Sequence, residues 1–297
     1  MLSVVIPTYK NKKQLIENLD KNERFLPGCQ IIVVNDDPVG SLKGSFDGKN
    51  ITLIENKANY GFAETMNRGV AQARYPFVMF LNDDVLLGND DFRKALESFK
   101  KDKNLFAVSF AQKEKDNTIV GKNGFFWKRG FFHHHPVTNL QKGHNAWAEG
   151  GACVVDKAKF ERIGGFDPIF KPFYWEDIDL SYRAWRRGYS ILFDPSVVVT
   201  HHHESTIGTH FSKHVIREIA FRNQHIFILK NIGDRRMLVE YMLFLPFNMI
   251  YYVFKGEWRF ITGFSKVIFS LKKIIRQRKK TQEESVVADR NILKMFK

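Results

Sequence analysis

The sequence predicts an α/β protein with a mostly parallel β-sheet flanked by helices, followed by a helical, basic C-terminal extension. Three observations indicate this fold class: short apolar runs recur, they lack the polar alternation of half-exposed strands, and amphipathic stretches separate them. The apolar runs are SVVIP at 3, QIIVVN at 30, ITLIEN at 51, FVMFLN at 77 and FAVSFA at 106. Runs without alternation are typical of strands that are covered on both faces.

The stretches between these runs have helical patterns. They are KKQLIENLDKN, FAETMNRGVAQA and NDDFRKALESFKKD, and in the first of them Leu15, Ile16 and Leu19 lie on one helical face. Right-handed crossovers then place the carboxyl ends of the parallel strands at one edge of the sheet, where α/β proteins bind their ligands. The residues that follow each strand are therefore the first candidates for a functional site.

Length and composition allow one large domain, or one domain with an appendage, since the chain has 297 residues of which 44% are hydrophobic. The formal charge of +14, from 46 Lys and Arg against 32 Asp and Glu, indicates polyanionic partners such as a phosphorylated substrate, anionic lipid or nucleic acid. The two cysteines, Cys29 and Cys153, lie far apart, which argues against a disulfide framework and favours a reducing cytoplasm.

Neither a signal peptide nor a membrane-spanning helix is expected. The N-terminal stretch MLSVVIPTYK has no basic segment, and Pro7 interrupts its short apolar run. The most apolar longer segment, Met237–Phe254, carries Glu240, Pro246 and Asn248, and is short of the roughly 20 apolar residues that cross a bilayer.

The middle of the chain differs from the two ordered blocks around it. Residues 112–147 are rich in Gly, aromatic residues and His without a steady period, which predicts long loops over the functional site. A second ordered block covers residues 150–203, and from about residue 211 the chain becomes helical, aromatic and increasingly basic.

A first polar cluster ends the second predicted strand, in IIVVNDDPVG. Asn35, Asp36 and Asp37 would lie next to the end of the first strand, where a carboxylate can accept hydrogen bonds from the ribose or base N–H of a nucleotide. The alternative is a simple turn, which Asn-Asp-Asp-Pro favours in any case. A classical dinucleotide-binding fold is disfavoured, because no G-x-G-x-x-G follows the first strand.

A second cluster ends the strand in YPFVMFLNDDVLL. Asp83 and Asp84 are suited to bind a hard divalent cation, and the alternative is a turn at Asn82 with Asp84 capping the next helix. The stretch upstream, NYGFAETMNRG, supplies further candidates for contacts to a phosphorylated ligand. These are Asn59, Gly61, Asn67, Arg68 and Gly69. Gly61 permits close backbone approach and Arg68 is suited to pair with a phosphate, unless it belongs to a solvated helix face.

A third cluster lies in FYWEDIDLSYRAWRRGY, which predicts a helix ending before Gly188. Glu176, Asp177 and Asp179 would then lie at its N-terminus, where acids are favoured by capping and by the helix dipole. Three acids in four positions exceed what capping needs, so one of them is a candidate general base.

Two histidine triplets complete the set of candidates. VVVTHHHEST ends a strand in His201, His202 and His203, and an imidazole at a strand end near two aspartates is a plausible metal ligand. The other triplet, His133 to His135, lies in the predicted loop region, where a direct role is less favoured.

Together these residues resemble glycosyltransferase family 2, the inverting enzymes of the GT-A fold, and within it bacterial rhamnosyltransferase-like members. The resemblance covers about residues 1–230, with four motifs in the family's order. SVVIPTY and IIVVNDD resemble the nucleotide-binding half, which implies that Asp36 contacts the base or ribose. The other nucleotide-sugar contacts that it implies come from Pro7, Thr8, Tyr9, Asn59, Gly61, Asn67, Arg68, Asn82 and Asp83.

The metal and acceptor sides follow from the same resemblance. FLNDDV resembles the D-x-D element, so Asp84 takes the place of the principal ligand of Mg²⁺ or Mn²⁺, with Asn82 where the first aspartate is usual. His201 matches a histidine that completes the coordination in some relatives. GGACVVDKAKFERIGGFDPIFKPFYWEDIDLSYR resembles the acceptor-side signature, which implies Asp177 as the base beside Glu176. The implied acceptor-side residues are Gly150, Gly151 and Trp175.

The function that the resemblance implies is metal-dependent, inverting transfer of a sugar from dTDP-rhamnose or a UDP-sugar to a hydroxyl of a glycan or lipid-linked glycan, in bacterial cell-surface polysaccharide synthesis. An aspartate of ordinary low pKa would be a weak ground-state base, useful mainly in the transition state. The implied domains are a catalytic domain over 1–230, divided into a nucleotide-sugar half (1–111) and an acceptor half (112–210), and a helical region over 231–297.

Two other classes stay open at this point. A nucleotidyltransferase, or another nucleotide-binding enzyme on a similar sheet, usually has a Gly-rich loop after the first strand, and PTYKNKKQL has no glycine. A basic nucleic-acid-binding protein is suggested by the charge, but much of that charge lies in the C-terminal region and nothing resembles a recognition module. We therefore expect no nucleic-acid partner.

The basic tail predicts a membrane contact. Residues 255–280 carry nine Lys or Arg against one acid, Glu257, and their apolar residues form a helical stripe. The stripe is Phe264, Ile268, Leu271 and Ile275. A basic helix with an apolar stripe lies in an anionic membrane interface, so we expect a cytoplasmic protein, peripheral on the inner membrane. The alternative is that the tail helices pack on the core with a solvated Lys-rich end.

Overall fold

The computed structural model describes residues 1–201 and 206–296, and these form a ten-stranded mixed sheet, a two-stranded hairpin and eleven α-helices. The strands are β1 (Leu2–Thr8), β2 (Gln30–Asn35), β3 (Ile51–Glu55), β4 (Phe77–Leu81), β5 (Val85–Leu87), β6 (Leu105–Lys113), β7 (Ile119–Val120), β8 (Asn123–Lys128), β9 (Phe131–Pro136), β10 (Gly143–His144), β11 (Ala152–Asp156) and β12 (Ser190–His201). The helices are α1 (Lys12–Glu23), α2 (Phe62–Ala71), α3 (Phe92–Lys101), α4 (Lys157–Arg162), α5 (Glu176–Arg186), α6 (Thr206–His210), α7 (Lys213–Asn231), α8 (Arg235–Phe254), α9 (Arg259–Val267), α10 (Leu271–Glu283) and α11 (Asp289–Lys294).

The sheet is mostly parallel, as the sequence predicts. Its order is β10-β12-β6-β11-β4-β1-β2-β3, with β5 beside β12 and β7 beside β6. Strands β1 to β4 are parallel, β11 runs antiparallel to both β4 and β6, and β12 is parallel to β6. The carboxyl ends of β1, β2, β4, β6 and β12 therefore meet at one edge of the sheet.

Both faces of the sheet are covered, which explains the apolar runs without alternation. Neighbouring residues of β1 point to opposite sides, Val4 into one hydrophobic cluster and Val5 into another. The cluster around Val4 includes Leu15 and Leu19 of α1, as the helical pattern predicts. The cluster around Val5 includes residues of α2, α5, α7 and the C-terminal helices, so these helices share one core with the sheet.

The expectation of long loops over residues 112–147 is wrong. This part of the chain contains the β8–β9 hairpin, which turns at Arg129 and Gly130 with φ of 50° and 75°. Two positive φ values fit the turns that two-residue hairpins prefer. Phe125 and Phe132 of the hairpin are buried against Tyr182 of α5. The sequence did not predict these two strands, because Arg-Gly is a weak turn signal and the three histidines hide the alternation of apolar and polar residues.

The junction between α5 and α7 holds a buried cluster of charges. Asp179 accepts hydrogen bonds from Arg183 Nε, Lys230 Nζ and Asn231 Nδ2, each at 2.7 Å. Lys230 also contacts Asp167 at 2.6 Å. Asp179, one of the three acids considered as a base, is thus fully engaged in joining the first C-terminal helix to the acceptor-side helix.

Helix α8 is continuous through Pro246. It is long and apolar enough to cross a membrane by length and composition alone, contrary to the expectation that no segment reaches this limit, and only 17% of its apolar window is buried. Its polar residues face the hairpin: Glu240 accepts a hydrogen bond from Trp127 Nε1, and the Asn248 amide reaches the Arg129 carbonyl oxygen at 3.4 Å.

Candidate active site

A cavity of about 500 Å³ opens at the carboxyl edge of the sheet. It is formed by the ends of β1, β2, β4, β6 and β12, the loop before α2, the turn before β11 and the first turn of α5. Most residues expected from the sequence line it. These are Pro7, Thr8, Tyr9, Asp36, Asn59, Gly61, Asn82, Asp83, Asp84, Gly150, Gly151, Glu176, Asp177 and His201. The edge therefore brings the expected nucleotide-sugar, metal and base candidates into one space.

Asp84 and His201 face each other across the ends of β4 and β12. The Oδ1 atom of Asp84 lies 3.1 Å from Nε2 of His201. On the other side of the ring, Nδ1 lies 2.6 Å from Oε1 of Gln112, whose own amide nitrogen donates to Glu149. Because this amide presents its oxygen to the ring, Nδ1 carries the hydrogen and Nε2 presents its lone pair to Asp84 in the neutral imidazole.

This pair fits a divalent cation. Asp84 Oδ1 is buried, and His201 Nε2 is its partner in this pair. Its separation from His201 Nε2 is about that of two neighbouring ligands of an octahedral Mg²⁺, each about 2.1 Å from the ion. Among the described residues no group of three or more His, Cys, Asp or Glu is placed to hold a metal. The remaining ligands would therefore be water and phosphate oxygens, as is usual for Mg²⁺ and Mn²⁺ at phosphate sites.

The pKa of His201 also indicates that this pair attracts positive charge. Burial lowers the pKa of His201, but the hydrogen bond and charge of Asp84 outweigh it and hold that pKa above its ordinary value. The site thus favours a positive charge between the carboxylate and the ring.

The neighbouring Asp83 has a different environment. Its Oδ2 accepts a hydrogen bond from Thr8 at 2.6 Å, and the Asn18 amide donates to its carbonyl oxygen. Burial raises the pKa of Asp83 to about 7, although the Thr8 hydroxyl opposes this effect. Asp83 therefore ties the end of β4 to the end of β1 and to the middle of α1, and it faces the cavity beside Thr8.

Asn82, at the first position of the D-x-D element, is in close contact with Gly151, one of the predicted acceptor-side glycines. Its backbone N–H donates to the Gly151 carbonyl oxygen at 3.0 Å. A Cβ atom at Gly151 would lie 2.3 Å from Asn82 Nδ2, so a side chain there would displace the Asn82 amide. The amide oxygen of Asn82 is buried without a hydrogen-bond donor, which leaves an acceptor at the cavity floor.

Asp36 organises the loop that precedes α2. It accepts hydrogen bonds from Asn56 Nδ2 and from the backbone N–H groups of Tyr60 and Gly61, each at 2.8 Å. Gly61 has φ of 79°, and a Cβ there would meet the Pro172 carbonyl oxygen at 3.0 Å. The carboxylate thus shapes the wall that a nucleotide would contact, and its direct contact to a base or ribose stays a prediction.

Glu176 and Asp177 begin α5 and point into the cavity. The residues before them, Tyr174 and Trp175, have φ of 68° and 73°, a strained conformation for side chains of this size. Burial and the negative charge of Glu149 raise the pKa of Asp177 to about 7. Asp177 is therefore not the weak ground-state base that the sequence suggested, because its carboxylate is removed from water beside a second acid.

Glu176 is held more strongly in its neutral form. Burial, and then the charge of Asp177, raise its pKa well above the ordinary range. Its Oε2 atom accepts no hydrogen bond. Since the two acids are adjacent, the ionised form is favoured at Asp177.

Three expected site residues lie outside the cavity lining. Asn67 uses its amide to bind both the N–H and the carbonyl oxygen of Phe166, which fixes α2 to the loop that follows α4. Arg68 stacks over the Tyr60 ring at 5.3 Å. Trp175 is buried in the core against Phe227. The structure thus gives Asn67 and Trp175 supporting positions and does not bring Arg68 to the cavity.

The two histidine triplets also differ in whether they contribute to the cavity lining. His201 lines the cavity, while His202 and His203 lie outside the described residues. The residues His133 to His135 are on β9, and they are not part of the cavity lining.

Several residues that line the cavity were not predicted from the sequence. They are Phe62, Thr65, Gln112, Glu149, Pro172, Phe173, Tyr174 and Phe211. The strand-end argument that selected Asp36 and Asp84 applies equally to Gln112, which lies near the end of β6 and pairs with Val199 of β12. Glu149 had a weaker signal, a polar residue directly before two glycines. Phe211 had none, because only the folded chain brings the start of the C-terminal helices to the cavity.

The fold defines the class of protein. Solved structures that share it are glycosyltransferases: GalNAc-T7 with UDP, GalNAc and Mn²⁺ (TM-score 0.60, 14% identity, 79% of this chain and 48% of that one) and the Pyrobaculum calidifontis mannosyltransferase PcManGT with GDP-Man and Mn²⁺ (0.53, 16%, 91% and 75%). S. aureus TarS with UDP-GlcNAc is similar (0.53, 15%, 81% and 71%). The chain thus has the GT-A glycosyltransferase fold and spans about half the length of GalNAc-T7.

Sequence comparison then names the family. Residues 3–164 match the profile of "Glycosyl transferase family 2", and the chain belongs to that family. It is 24% identical over 261 residues to the N-acetylglucosaminyl-diphospho-decaprenol L-rhamnosyltransferase of Mycobacterium tuberculosis, covering 72% of this chain and 80% of that protein. It is 26% identical over 171 residues to the poly-β-1,6-N-acetyl-D-glucosamine synthase of Staphylococcus aureus, covering 56% of this chain and 41% of that protein. The chain is therefore a glycosyltransferase, and the rival classes are set aside.

Proposed function

We propose that this glycosyltransferase moves a sugar, with inversion, from dTDP-rhamnose or a UDP-sugar to a hydroxyl of a glycan or lipid-linked glycan. One observation carries the proposal: a buried aspartate oxygen and a histidine nitrogen that fit a divalent cation share a cavity with an aspartate of raised pKa. The printed names of the relatives support the substrate class, since one is a rhamnosyltransferase for a diphospho-decaprenol acceptor and several neighbours hold UDP or UDP-GlcNAc.

On the donor side, Asp84 and His201 would hold Mg²⁺ or Mn²⁺. When bound, this ion neutralises charge that develops on the leaving diphosphate. Gln112 and Glu149 keep the His201 ring turned so that Nε2 faces Asp84. Asp36, through the loop that it holds, and the buried amide of Asn82 shape the wall and floor of the donor space.

On the acceptor side, Asp177 takes the proton of the acceptor hydroxyl. The hydroxyl oxygen attacks the anomeric carbon from the face opposite the nucleotide, a new glycosidic bond forms, and the bond to the diphosphate oxygen breaks with its electron pair. With a pKa of about 7, Asp177 is a base matched to neutral pH. Glu176 retains its own proton, which leaves the negative charge on Asp177.

The biological setting is proposed from the relatives' printed names and from the tail. Enzymes that extend a polyprenyl-linked acceptor or a surface polysaccharide act next to a membrane, and the two relatives are bacterial. We place the protein in the cytoplasm, peripheral on the inner membrane, in the synthesis of a cell-surface polysaccharide.

A donor panel tests the proposal. The melting temperature is measured with dTDP-rhamnose and the common UDP-sugars, each with Mn²⁺ or with EDTA, and the stabilising donors are then assayed for transfer. A donor at 100 times its dissociation constant should stabilise the fold by about 2.7 kcal/mol with Mn²⁺ and much less with EDTA. Stabilisation that is equal in EDTA would overturn the metal requirement, and no response to any nucleotide sugar would overturn the donor class.

A further inference from the structure

One side of α8 is apolar and exposed over nearly its whole length. The exposed apolar residues of this side, named here the α8 face, are Val239, Met242, Leu243, Phe244, Phe247, Ile250, Tyr251 and Phe254. Phe247 is 69% exposed and Phe254 87%. The exposed positions from Val239 to Phe254 include no charged residue. Soluble surfaces rarely leave so many large apolar side chains in one uninterrupted row.

The other side of α8 is attached to the protein. Met237, Tyr241 and Leu245 are buried in the core, and Glu240 binds the Trp127 indole of the hairpin. Gly130 at the hairpin turn is packed so closely on α8 that a Cβ would lie 2.6 Å from the Glu240 carbonyl oxygen. A helix fixed in this way cannot be surrounded by lipid, so it is placed to lie on a membrane and not to cross it.

Large apolar residues are also exposed on the segments that follow α8. Trp258 is exposed, and so are Ile268, Leu271 and Ile275, three of the four residues of the stripe expected from the sequence. The side that packs on the core is a different one, with Phe260, Gly263, Val267 and Ile274. Phe269 is 90% exposed. The tail helices thus pack on the core and leave their Lys-rich end exposed, as the alternative holds, but they also leave three of the four stripe residues exposed.

Exposed cations occur at both ends of α8 and along α10. Arg235, Arg236 and Lys255 are exposed at the two ends of α8. The exposed cations of α10 are Lys272, Lys273, Arg276, Lys279 and Lys280. In the part of the chain that the structure describes, none of these five pairs with an acid. This distribution is complementary to a surface that is apolar inside and negatively charged outside.

We infer that the α8 face docks on an anionic lipid bilayer, with α8 lying in the plane of the interface and the cations of α10 facing acidic headgroups. A second copy of the chain fits less well, because a two-fold contact would bring the same cations of both copies together. The inference rests on the membrane location proposed above and assigns it to one surface of the chain, but it does not depend on which sugar is transferred.

The test uses the full chain and sonicated vesicles of phosphatidylcholine with or without phosphatidylglycerol, separated by sedimentation. The first variant is Leu243→Glu, Phe247→Glu, Ile250→Glu, three exposed positions of the α8 face. Its matched control, Val39→Glu, Asn50→Glu, Gln72→Glu, makes the same charge change at exposed positions on the nucleotide-binding half. A third variant changes Lys272, Lys273 and Lys279 to Gln. Melting curves and calorimetric binding of UDP with Mn²⁺ check that fold and cavity are intact in each.

The wild-type chain and the control should sediment with phosphatidylglycerol vesicles. The α8 variant should lose at least tenfold in its partition coefficient, and the α10 variant about fivefold for each cation removed, with the latter loss confined to acidic vesicles. Trp258 fluorescence should shift to shorter wavelength on binding. Equal partition of the α8 variant and the control would overturn the inference, as would self-association of the wild type that the α8 variant abolishes without any lipid binding. Because UDP and Mn²⁺ binding is measured separately, failure here is distinguishable from failure of the proposed function.

Discussion

Two regions of this molecule bury acidic side chains and treat them in opposite ways. At the edge of the sheet, Glu176 has a buried carboxylate oxygen that accepts no hydrogen bond, and the partner of Asp84 Oδ1 is the His201 ring at 3.1 Å, not a Lys or Arg side chain. At the junction of α5 and α7, Asp179 accepts hydrogen bonds from two cationic side chains and an amide. Asp177 and Asp179 are two residues apart in one helix, yet they belong to different regions.

The pKa values reflect this difference. At the edge, burial raises the pKa of Asp177 and of Asp83 to about 7. At the junction, burial would raise the pKa of Asp167, but the Lys230 ammonium lowers it to about 2. A buried carboxylate is costly unless charges or donors compensate it. At the junction, Lys and Arg side chains supply the opposite charge. At the edge, Asp83 and Asp177 accept hydrogen bonds from the neutral Thr8 hydroxyl and Ile178 N–H, and their pKa values stay raised, so these acids are available to a cation, a proton or a substrate.

The sharpest way to separate the two regions is to change Asp177. Asp177→Asn should lower the rate of transfer by about 10²–10⁴-fold, because the acceptor hydroxyl loses its base, while donor binding and melting temperature stay near those of the wild type. Glu176→Gln is the matched variant and should retain more activity. If Glu176→Gln is inactive and Asp177→Asn transfers well, the base is Glu176.

The same substitution at Asp179 should lower the stability of the fold instead of acting directly on the rate of transfer. Asp179→Asn should destabilise the fold by about 3–5 kcal/mol, because it leaves Arg183 buried without its counter-charge and leaves Lys230 with Asp167 alone. Urea unfolding measures the loss, and Asp90→Asn, at an exposed ion pair, is the control that should change little. A stable Asp179→Asn protein that has lost only activity would mean that the two regions are not distinct.

A smaller effect is expected at Gln112, which contacts His201 through the ring nitrogen that does not face Asp84. Gln112→Leu should weaken Mn²⁺ binding in the presence of UDP by about 10–100-fold, because the His201 ring loses the partner that orients it. Calorimetric titration measures the affinity, with Gln72→Leu at an exposed position as control. An unchanged affinity would show that Gln112 does not orient the histidine.

The smallest expected effect is a shift of pH dependence. Glu149→Gln removes a negative charge near Asp177, so the ionised form of Asp177 becomes more favourable and its pKa falls. The lower limb of the pH profile of kcat/KM should move to lower pH by about one unit or less, since the base becomes available earlier. Glu97→Gln is an exposed control. A shift to higher pH would contradict the assignment of this limb to Asp177.

The sequence predicted the parallel core of the fold because its strands are covered on both faces and its helices are amphipathic. Each of the five apolar runs became a strand, β1 to β4 and β6, and the family and fold followed from the motifs at their ends. The antiparallel β11 and the β8–β9 hairpin were not foreseen. Their pairing depends on contacts between distant segments, which local patterns do not carry.

The candidate site was predictable where a residue type stands at a strand end, as with Asp36, Asp84 and His201. It was not predictable where the role depends on which neighbour a side chain meets. Arg68 stacks over the Tyr60 ring. Asp179 accepts hydrogen bonds from Arg183 and Lys230. The raised pKa of Asp177 required both burial and the approach of Glu149, which no sequence pattern contains.

Calorimetric binding of UDP or dTDP, with and without Mn²⁺, to the wild type and to Asp84→Ala shows whether a cation binds between Asp84 and His201. The wild type should bind the nucleoside diphosphate tightly only with Mn²⁺. Asp84→Ala should keep the wild-type melting temperature and lose the Mn²⁺-dependent part of the affinity. Wild-type affinity in Asp84→Ala, still dependent on Mn²⁺, would show that the cation binds elsewhere and that the buried acids at this edge of the sheet have another purpose.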